Sequence, residues 1–147
     1  MKLFQSSKSL LIGGVCIAIA CASTMISCTG GPDHTPSSIV QKWLSVYPKD
    51  LAQAVTITSW GMRNGLSAEK WIDRIKMTMG DFQYVEGQVV SEEITKDKAK
   101  VIVDAKITSV LGEQNQREQF TLSIVDNRWV IDERSVVMVL PSVPDFS

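Results

Sequence analysis

Beyond residue 28 the chain has no cysteine. Cys16, Cys21 and Cys28 are its full complement, so the region after them can form neither an internal disulfide nor a thiolate metal site. Histidine is nearly missing as well: His34 stands alone, beside Asp33 in a polar, turn-forming stretch. A base on such a segment cannot be pre-organised. With no histidine or cysteine in the folded region, zinc and iron lack ligands, and neither a metal nor a cofactor is expected. An excess of positive charge is also absent. Lys2 and Lys8 lie in the first 28 residues, which hold no acid, leaving 13 Lys and Arg against 16 Asp and Glu, a net charge of −3. That balance offers no electrostatic footprint for DNA or RNA. An apolar content of 44% in 147 residues fits one modest globular domain that must be stable without cross-links.

What is present begins with an address. Met1 to Ser9 is short, polar and cationic, and Leu10 to Ile26 is uncharged and mostly apolar, the two parts of a secretory signal. A retained membrane helix is the alternative, but the run is short for a span and carries Gly13 and Gly14. Met25-Ile26-Ser27-Cys28 resembles the bacterial lipobox, which implies a diacylglycerol thioether on Cys28, cleavage before it and acylation of the new amino terminus. Ala18-Ile19-Ala20-Cys21 also fits. Cys28 is preferred because a polar, Gly- and Pro-containing tether follows it directly, whereas Cys21 would leave Met25 and Ile26 exposed. Several acyl chains on one residue suffice for stable membrane attachment. Thr29, rather than Asp, after the cysteine favours the outer membrane or cell surface over the inner membrane. The expected organisation is a signal peptide over 1–27, a lipidated cysteine and tether over 28–35, one α+β domain over 36–140 and a tail over 141–147.

Within the domain the apolar spacing changes once. Thr35 and Pro36 make a helix start, and Ile39, Val40, Trp43, Leu44 and Tyr47 follow at helical spacing. Pro48 ends that helix, and Leu51, Ala52 and Val55 form the inner face of a short second one. Asn64-Gly65 marks a turn. A third helix begins at Ser67, with Leu66 and Trp71 placed as a hydrophobic staple, and runs to Gly80. From Phe82 the period becomes two. Phe82–Ile94 reads as a strand with a bulge near Gly87. Lys96-Asp97 is a turn, and Ala99, Val101, Val103, Ala105 and Ile107 alternate with polar neighbours. Gly112 to Gln116 closes a hairpin, Phe120, Leu122 and Ile124 point inward, and Asp126-Asn127 is a two-residue turn before Trp129 and Ile131. Ser135–Leu140 is a final, ambiguous apolar stretch.

Three local patterns carry a resemblance. Thr35-Pro-Ser-Ser-Ile-Val-Gln-Lys-Trp-Leu, Lys96-Asp-Lys-Ala-Lys-Val-Ile-Val and Asp126-Asn-Arg-Trp-Val-Ile-Asp132 resemble segments of small bacterial lipoproteins of the nuclear transport factor 2-like (ketosteroid isomerase-like) superfamily. The resemblance spans about residues 35–135 and implies an α+β cone, with three N-terminal helices packed in the curve of a bent antiparallel sheet. Many such lipoproteins have no assigned function, so it implies fold more than activity.

Enzymes on the implied fold place a carboxylate base and a phenol or second acid at the mouth of the cone. The inward positions read from the alternation are all apolar, with no acid among them. Asp73 and Asp81 are the only acids near the helix–sheet junction, and Tyr47 and Tyr84 the available phenols; each is equally a helix-end charge, a solvated face or a core edge. Trp43, Trp71 and Trp129 lie on core faces, while Trp60, in a loop, is a candidate contact for a ligand or partner. The expectation is a non-catalytic envelope module without catalytic residues, binding a protein, a glycan or a small apolar ligand, with Trp60, Tyr47, Tyr84 and Asp81 as contacts. A small cofactor-independent lyase or isomerase is the alternative. The implied fold often dimerises through its outer sheet face, but here Lys100, Asp104, Lys106, Thr121 and Asp132 surround Ile102, Val125 and Val130, which suits a monomer or weak homodimer.

Overall fold

The computed structural model describes residues 34–141; the cysteines, the lipobox, most of the tether and Pro144 lie outside them. Three helices, α1 (Pro36–Val46), α2 (Leu51–Thr56) and α3 (Ala68–Thr78), precede four strands, β1 (Gln83–Thr95), β2 (Lys98–Ser109), β3 (Gly112–Val125) and β4 (Arg128–Leu140). Each helix starts on a side chain that satisfies a free backbone donor. Thr35 accepts from Ser38 N at 3.2 Å, Asp50 from Gln53 N at 3.0 Å, and Ser67 from Lys70 N at 3.4 Å. Glu92 reaches from β1 to the start of α1, accepting from the Ser37 N–H at 2.7 Å and hydroxyl at 2.5 Å. A carboxylate there also suits the positive end of the helix dipole.

The strands form one antiparallel sheet in chain order, β1-β2-β3-β4. The central β2–β3 ladder is unbroken, from Lys98↔Ser123 to Ser109↔Gly112. Both outer strands carry extra residues. Val85 and Val90 have no opposite number on β2, and Asp132 and Val137 have none on β3. Each extra residue bends its strand and reverses which face the following residues present, so the bending sits on the rims of the sheet. The turns match their residue types: Asn64-Gly65 and Asp126-Asn127 both have positive φ, as tight turns of this kind need. The β2–β3 turn lies at Val110-Leu111, and Glu113 to Gln116, expected as a loop, belong to β3.

The cone with three helices in its curve is not what forms. Of the helices only α1 lies across the sheet, over β1, β2 and β4; α2 rests on α1, and α3 on α2. At β1, α1 approaches so closely that a Cβ on Gly87 would stand 2.6 Å from the Leu44 Cδ1, so a larger residue there would have to push the Leu44 side chain aside. The third helix buries only one side chain fully in the core. Trp71 is buried and tilted against Trp43 and Tyr47, with ring centroids 6.4 Å away in both cases, while Ile72, Ile75 and Met79 stay half-buried. Its apolar stripe is thus too shallow to sink into a curve. On α2 the buried residues are Leu51 and Ala54, and Ala52 faces solvent. The core lies between α1 and the sheet, where Val40, Trp43, Val101, Val103, Phe120, Leu122 and Ile131 are almost wholly excluded from water.

The two ends of β4 differ. Near its start, the segment after α2 pairs in parallel with it: Ile131 N–H donates to Ile57 O at 2.8 Å and Ser59 N–H to Ile131 O at 2.9 Å. Near its end Val136, Val137, Met138 and Val139 are about half exposed on the rim. The other face of the sheet is laced by ion pairs, Arg117 with Asp104 at 2.6 Å and Lys106 with Glu113 at 2.8 Å. Hydrogen bonding to Arg117 is the main cause that lowers the Asp104 pKa. Val130, expected on that face, is buried.

Candidate functional site

One buried acid does point inward. Glu118 on β3 has none of its surface in water, and its two oxygens are shared among four donors. Arg134 on β4 clasps it from both nitrogens, Nε to Oε2 at 2.7 Å and Nη2 to Oε1 at 2.6 Å. The Tyr84 hydroxyl donates to Oε2 at 2.7 Å, and Gln116 Nε2 donates to Oε1. The Arg134 guanidinium is itself held over the rings of Phe82 and Tyr84, 5.4 and 5.5 Å from their centroids. A carboxylate accepts about four hydrogen bonds, and these four use that capacity. Glu118 therefore has no lone pair left to take a proton from a substrate.

An aromatic stack lies over this network. Tyr47 stacks on Trp43 with centroids 4.2 Å apart, and Phe82 meets Tyr84 edge-on at 5.2 Å. The Trp43 indole N–H is buried without a hydrogen bond that satisfies distance and angle, although it lies near enough to the Tyr84 oxygen to draw that pKa slightly down. Burial dominates both tyrosines. It pushes Tyr47 up to about 12 and Tyr84 higher still, against the opposing charge of Arg134. For Arg134 burial is the largest influence and acts downward, but the hydrogen bonding to Glu118 and the charges of Tyr84, Glu118 and Tyr47 together outweigh it and the pKa rises.

These are the only two tyrosines in the chain, which gives a direct test. A tyrosine whose folded pKa lies above its unfolded value stabilises the fold below the unfolded pKa, and that contribution is lost as pH rises. Near-ultraviolet absorbance should show no phenolate step around pH 10. The step should arrive only toward pH 12 and beyond, as the stability held below about pH 10 is lost, together with unfolding seen by circular dichroism. A reversible step near pH 10 in folded protein would contradict the burial of both rings.

The residues expected as contacts separate. Asp73 and Asp81 are both exposed, so neither converges with a phenol, and the lyase or isomerase reading loses the carboxylates it named. Tyr47 and Tyr84 come together, 6.5 Å between centroids, but as buried core members and not as hydroxyls open to a ligand. Trp60 is 62% exposed, with the Arg63 guanidinium over its ring at 5.6 Å. The expectation that no acid points inward is corrected by Glu118. Its signal was available, because Glu118 shares the parity of Phe120 and Leu122. Among the described residues no group of three or more His, Cys, Asp or Glu could hold a metal, and no helix is long and apolar enough to cross a membrane.

The hollow with the most apolar lining lies elsewhere, at the start of the domain. A cavity of about 280 Å³ sits where α1, the end of α2 and the start of β4 meet. Its floor is Ile39, Ile57, Trp129 and Val130, all buried. Its rim carries His34, Lys42 and Arg128, all exposed. The pairing of Ile57–Ser59 with Ile131 draws the end of α2 to β4, and Thr35 caps α1 and so seats His34 at the rim. Helical spacing then sets Ser38 and Lys42 on one side of α1, with His34 just ahead of the Thr35 cap.

The sequence matches no known protein family and no curated protein. Its fold is similar to that of a SEC-C motif-containing protein of Rhodopseudomonas palustris, with a TM-score of 0.56, 17% identity, and coverage of 71% of this chain and 80% of that one. A candidate calcium/calmodulin-dependent kinase II association domain from Exiguobacterium sibiricum aligns with a TM-score of 0.51 at 11% identity, over 73% of this chain and 92% of that one. Bd1075 of Bdellovibrio bacteriovorus gives 0.52 at 13% identity, over 68% of this chain and 38% of its own. At such identities the likeness concerns the fold alone. It also corrects the resemblance drawn from sequence: the neighbours are SEC-C motif proteins and other small antiparallel-sheet folds, and they support neither a nuclear transport factor 2-like cone nor its lipoprotein family.

Proposed function

We propose that this protein is an exported lipoprotein, anchored through Cys28, whose domain is a non-catalytic module that binds a small ligand in the cavity between α1, α2 and the start of β4. The observation that carries the reading is the cavity itself, about 280 Å³ with a floor of buried Ile39, Ile57, Trp129 and Val130. Ligand sites are typically concave and mostly apolar, with a few polar groups at their edge. The buried Glu118 network supports the non-catalytic part, since its acceptor capacity is used up within the fold. The anchor rests on Met25-Ile26-Ser27-Cys28. Five residues separate Cys28 from His34, six steps of chain that span at most about 20 Å, so an anchored domain holds the cavity close to the membrane.

Two measurements test this. Labelling with a fatty-acid analogue should mark the wild-type chain and be lost in Cys28→Ala; label that persists moves the anchor to Cys21 or removes it. Ligand-observed magnetic resonance with phenylbutanol should detect binding that Thr56→Trp abolishes, because Thr56 is an exposed residue lining the cavity. No binding to the wild-type chain would reject the small-ligand reading. Protein contact through the apolar end of β4, Val136 to Val139, would then be the reading left.

A further inference from the structure

We infer that the ligand of this cavity is an amphiphile with an anionic head: a carboxylate or phosphate held at the rim, with an apolar body of modest size on the floor. This rests on the ligand-binding reading above and adds to it the charge and shape of what binds. Three observations carry it. The first is the sign of the rim. His34, Lys42 and Arg128 converge from just before α1, its second turn and the first residue of β4, and the lining contains no Asp or Glu. In a chain with more acid than base, a rim of one sign is not the average surface.

The second observation is that these groups are unpaired. Lys98, Lys106, Arg117 and Arg134 each meet a carboxylate. His34, Lys42 and Arg128 meet none among the described residues. Their donors remain open to an anion: a guanidinium offers a planar fork, an ammonium a point charge, and an imidazole at least one N–H in either protonation state.

The third observation is the floor. An inorganic anion needs only donors, yet directly beneath them lie Ile39, Ile57 and the Trp129 ring, which reward an apolar body attached to the anion. The volume of about 280 Å³ lies at the low end for ligand pockets, roughly 300–1,000 Å³. It fits an aryl or short branched chain and excludes a complete long acyl chain. Such a ligand has two sources, a soluble organic acid or the headgroup and first carbons of an anionic membrane lipid.

The test uses the full chain in phosphatidylcholine nanodiscs and calorimetric titration with phenylbutyrate, phenylbutanol and inorganic phosphate. Phenylbutyrate should bind at least tenfold more tightly than the matched alcohol. That advantage should shrink with added salt and disappear in the K42Q/R128Q double variant, while binding of the alcohol stays unchanged. Both replaced side chains are exposed and unpaired, so an unaltered thermal midpoint verifies the fold of the variant. Equal affinities for acid and alcohol would overturn the anionic head yet leave the cavity reading standing. Inorganic phosphate binding as tightly as phenylbutyrate would overturn the apolar body. If neither organic probe binds, the cavity reading fails and this inference with it. Nanodiscs containing phosphatidylglycerol separate the sources: a drop of about tenfold in apparent phenylbutyrate affinity assigns the site to a lipid head, and an unchanged affinity assigns it to a soluble acid.

Discussion

Replacing Glu118 by glutamine will destabilise the domain by about 3–5 kcal/mol, the cost of leaving a buried cation without its partner. The change keeps the shape of the side chain and removes only its charge and part of its accepting capacity. Arg134 then remains clamped between β4 and the Phe82 and Tyr84 rings with no carboxylate to face it. The same argument says what the pair itself is worth. Desolvating both ions offsets much of their attraction, so a double change to apolar residues, E118L/R134L, should recover most of the loss. Urea unfolding is the measurement, with an unchanged slope and a shifted midpoint for the single variant. A single-variant loss under about 1 kcal/mol would mean that water reaches the pair. A double variant as unstable as the single one would mean that the network shapes the bent end of the sheet as well as balancing charge.

Trp43→Ala should cost about 3–5 kcal/mol, the range for truncating a large buried aromatic. Trp43 is 1% exposed, stacks on Tyr47, and is one of the two rings against which Trp71 docks α3. Its loss should free α3 as well as empty the core, which hydrogen exchange would register as faster exchange over Ala68–Thr78 than over β2 and β3. Trp43→Phe separates packing from polarity. A phenyl ring keeps most of the stack and removes a buried N–H that has no hydrogen bond, and leaving such a donor unsatisfied costs about 1–3 kcal/mol. Trp43→Phe should therefore be much milder than its lost volume suggests. Equal losses for Phe and Ala would show that the indole N–H holds the Tyr84 oxygen.

Glu118 and Arg134 show how much of the site was legible in the chain. Glu118 is legible, because it lies two residues before Phe120 on a strand whose alternation holds, although the apolar residues of that series begin only at Phe120. Arg134 is not. From Trp129 and Ile131, simple alternation turns Glu133 inward, but Asp132 is an extra residue, and Arg134 takes the place opposite Phe120 instead. A bulge is set by the balance of pairing across the whole sheet. Nothing in the residue types at Asp132 announces it: burial acts to raise its carboxyl pKa, and hydrogen bonds from Ser123, Ser59 and Lys98, with the Lys98 charge, together bring it below the ordinary value.

The sequence by itself determined what short-range chemistry can determine. Caps at Thr35 and Ser67, positive-φ turns at Asn64-Gly65 and Asp126-Asn127, and buried Trp43, Trp71 and Trp129 all follow from a few neighbouring residues and their spacing. The tertiary structure alone decided which helix enters the curve of the sheet, which way Arg134 faces, and that His34, Lys42 and Arg128 share one rim. Those outcomes depend on the close approach of Leu44 to Gly87, on the rim bulges, and on the pairing of Ile57–Ser59 with Ile131. Leu44 and Gly87 lie 43 positions apart and Ile57 and Ile131 lie 74 apart, and each bulge is set by pairing across strands, so none of these is a local pattern.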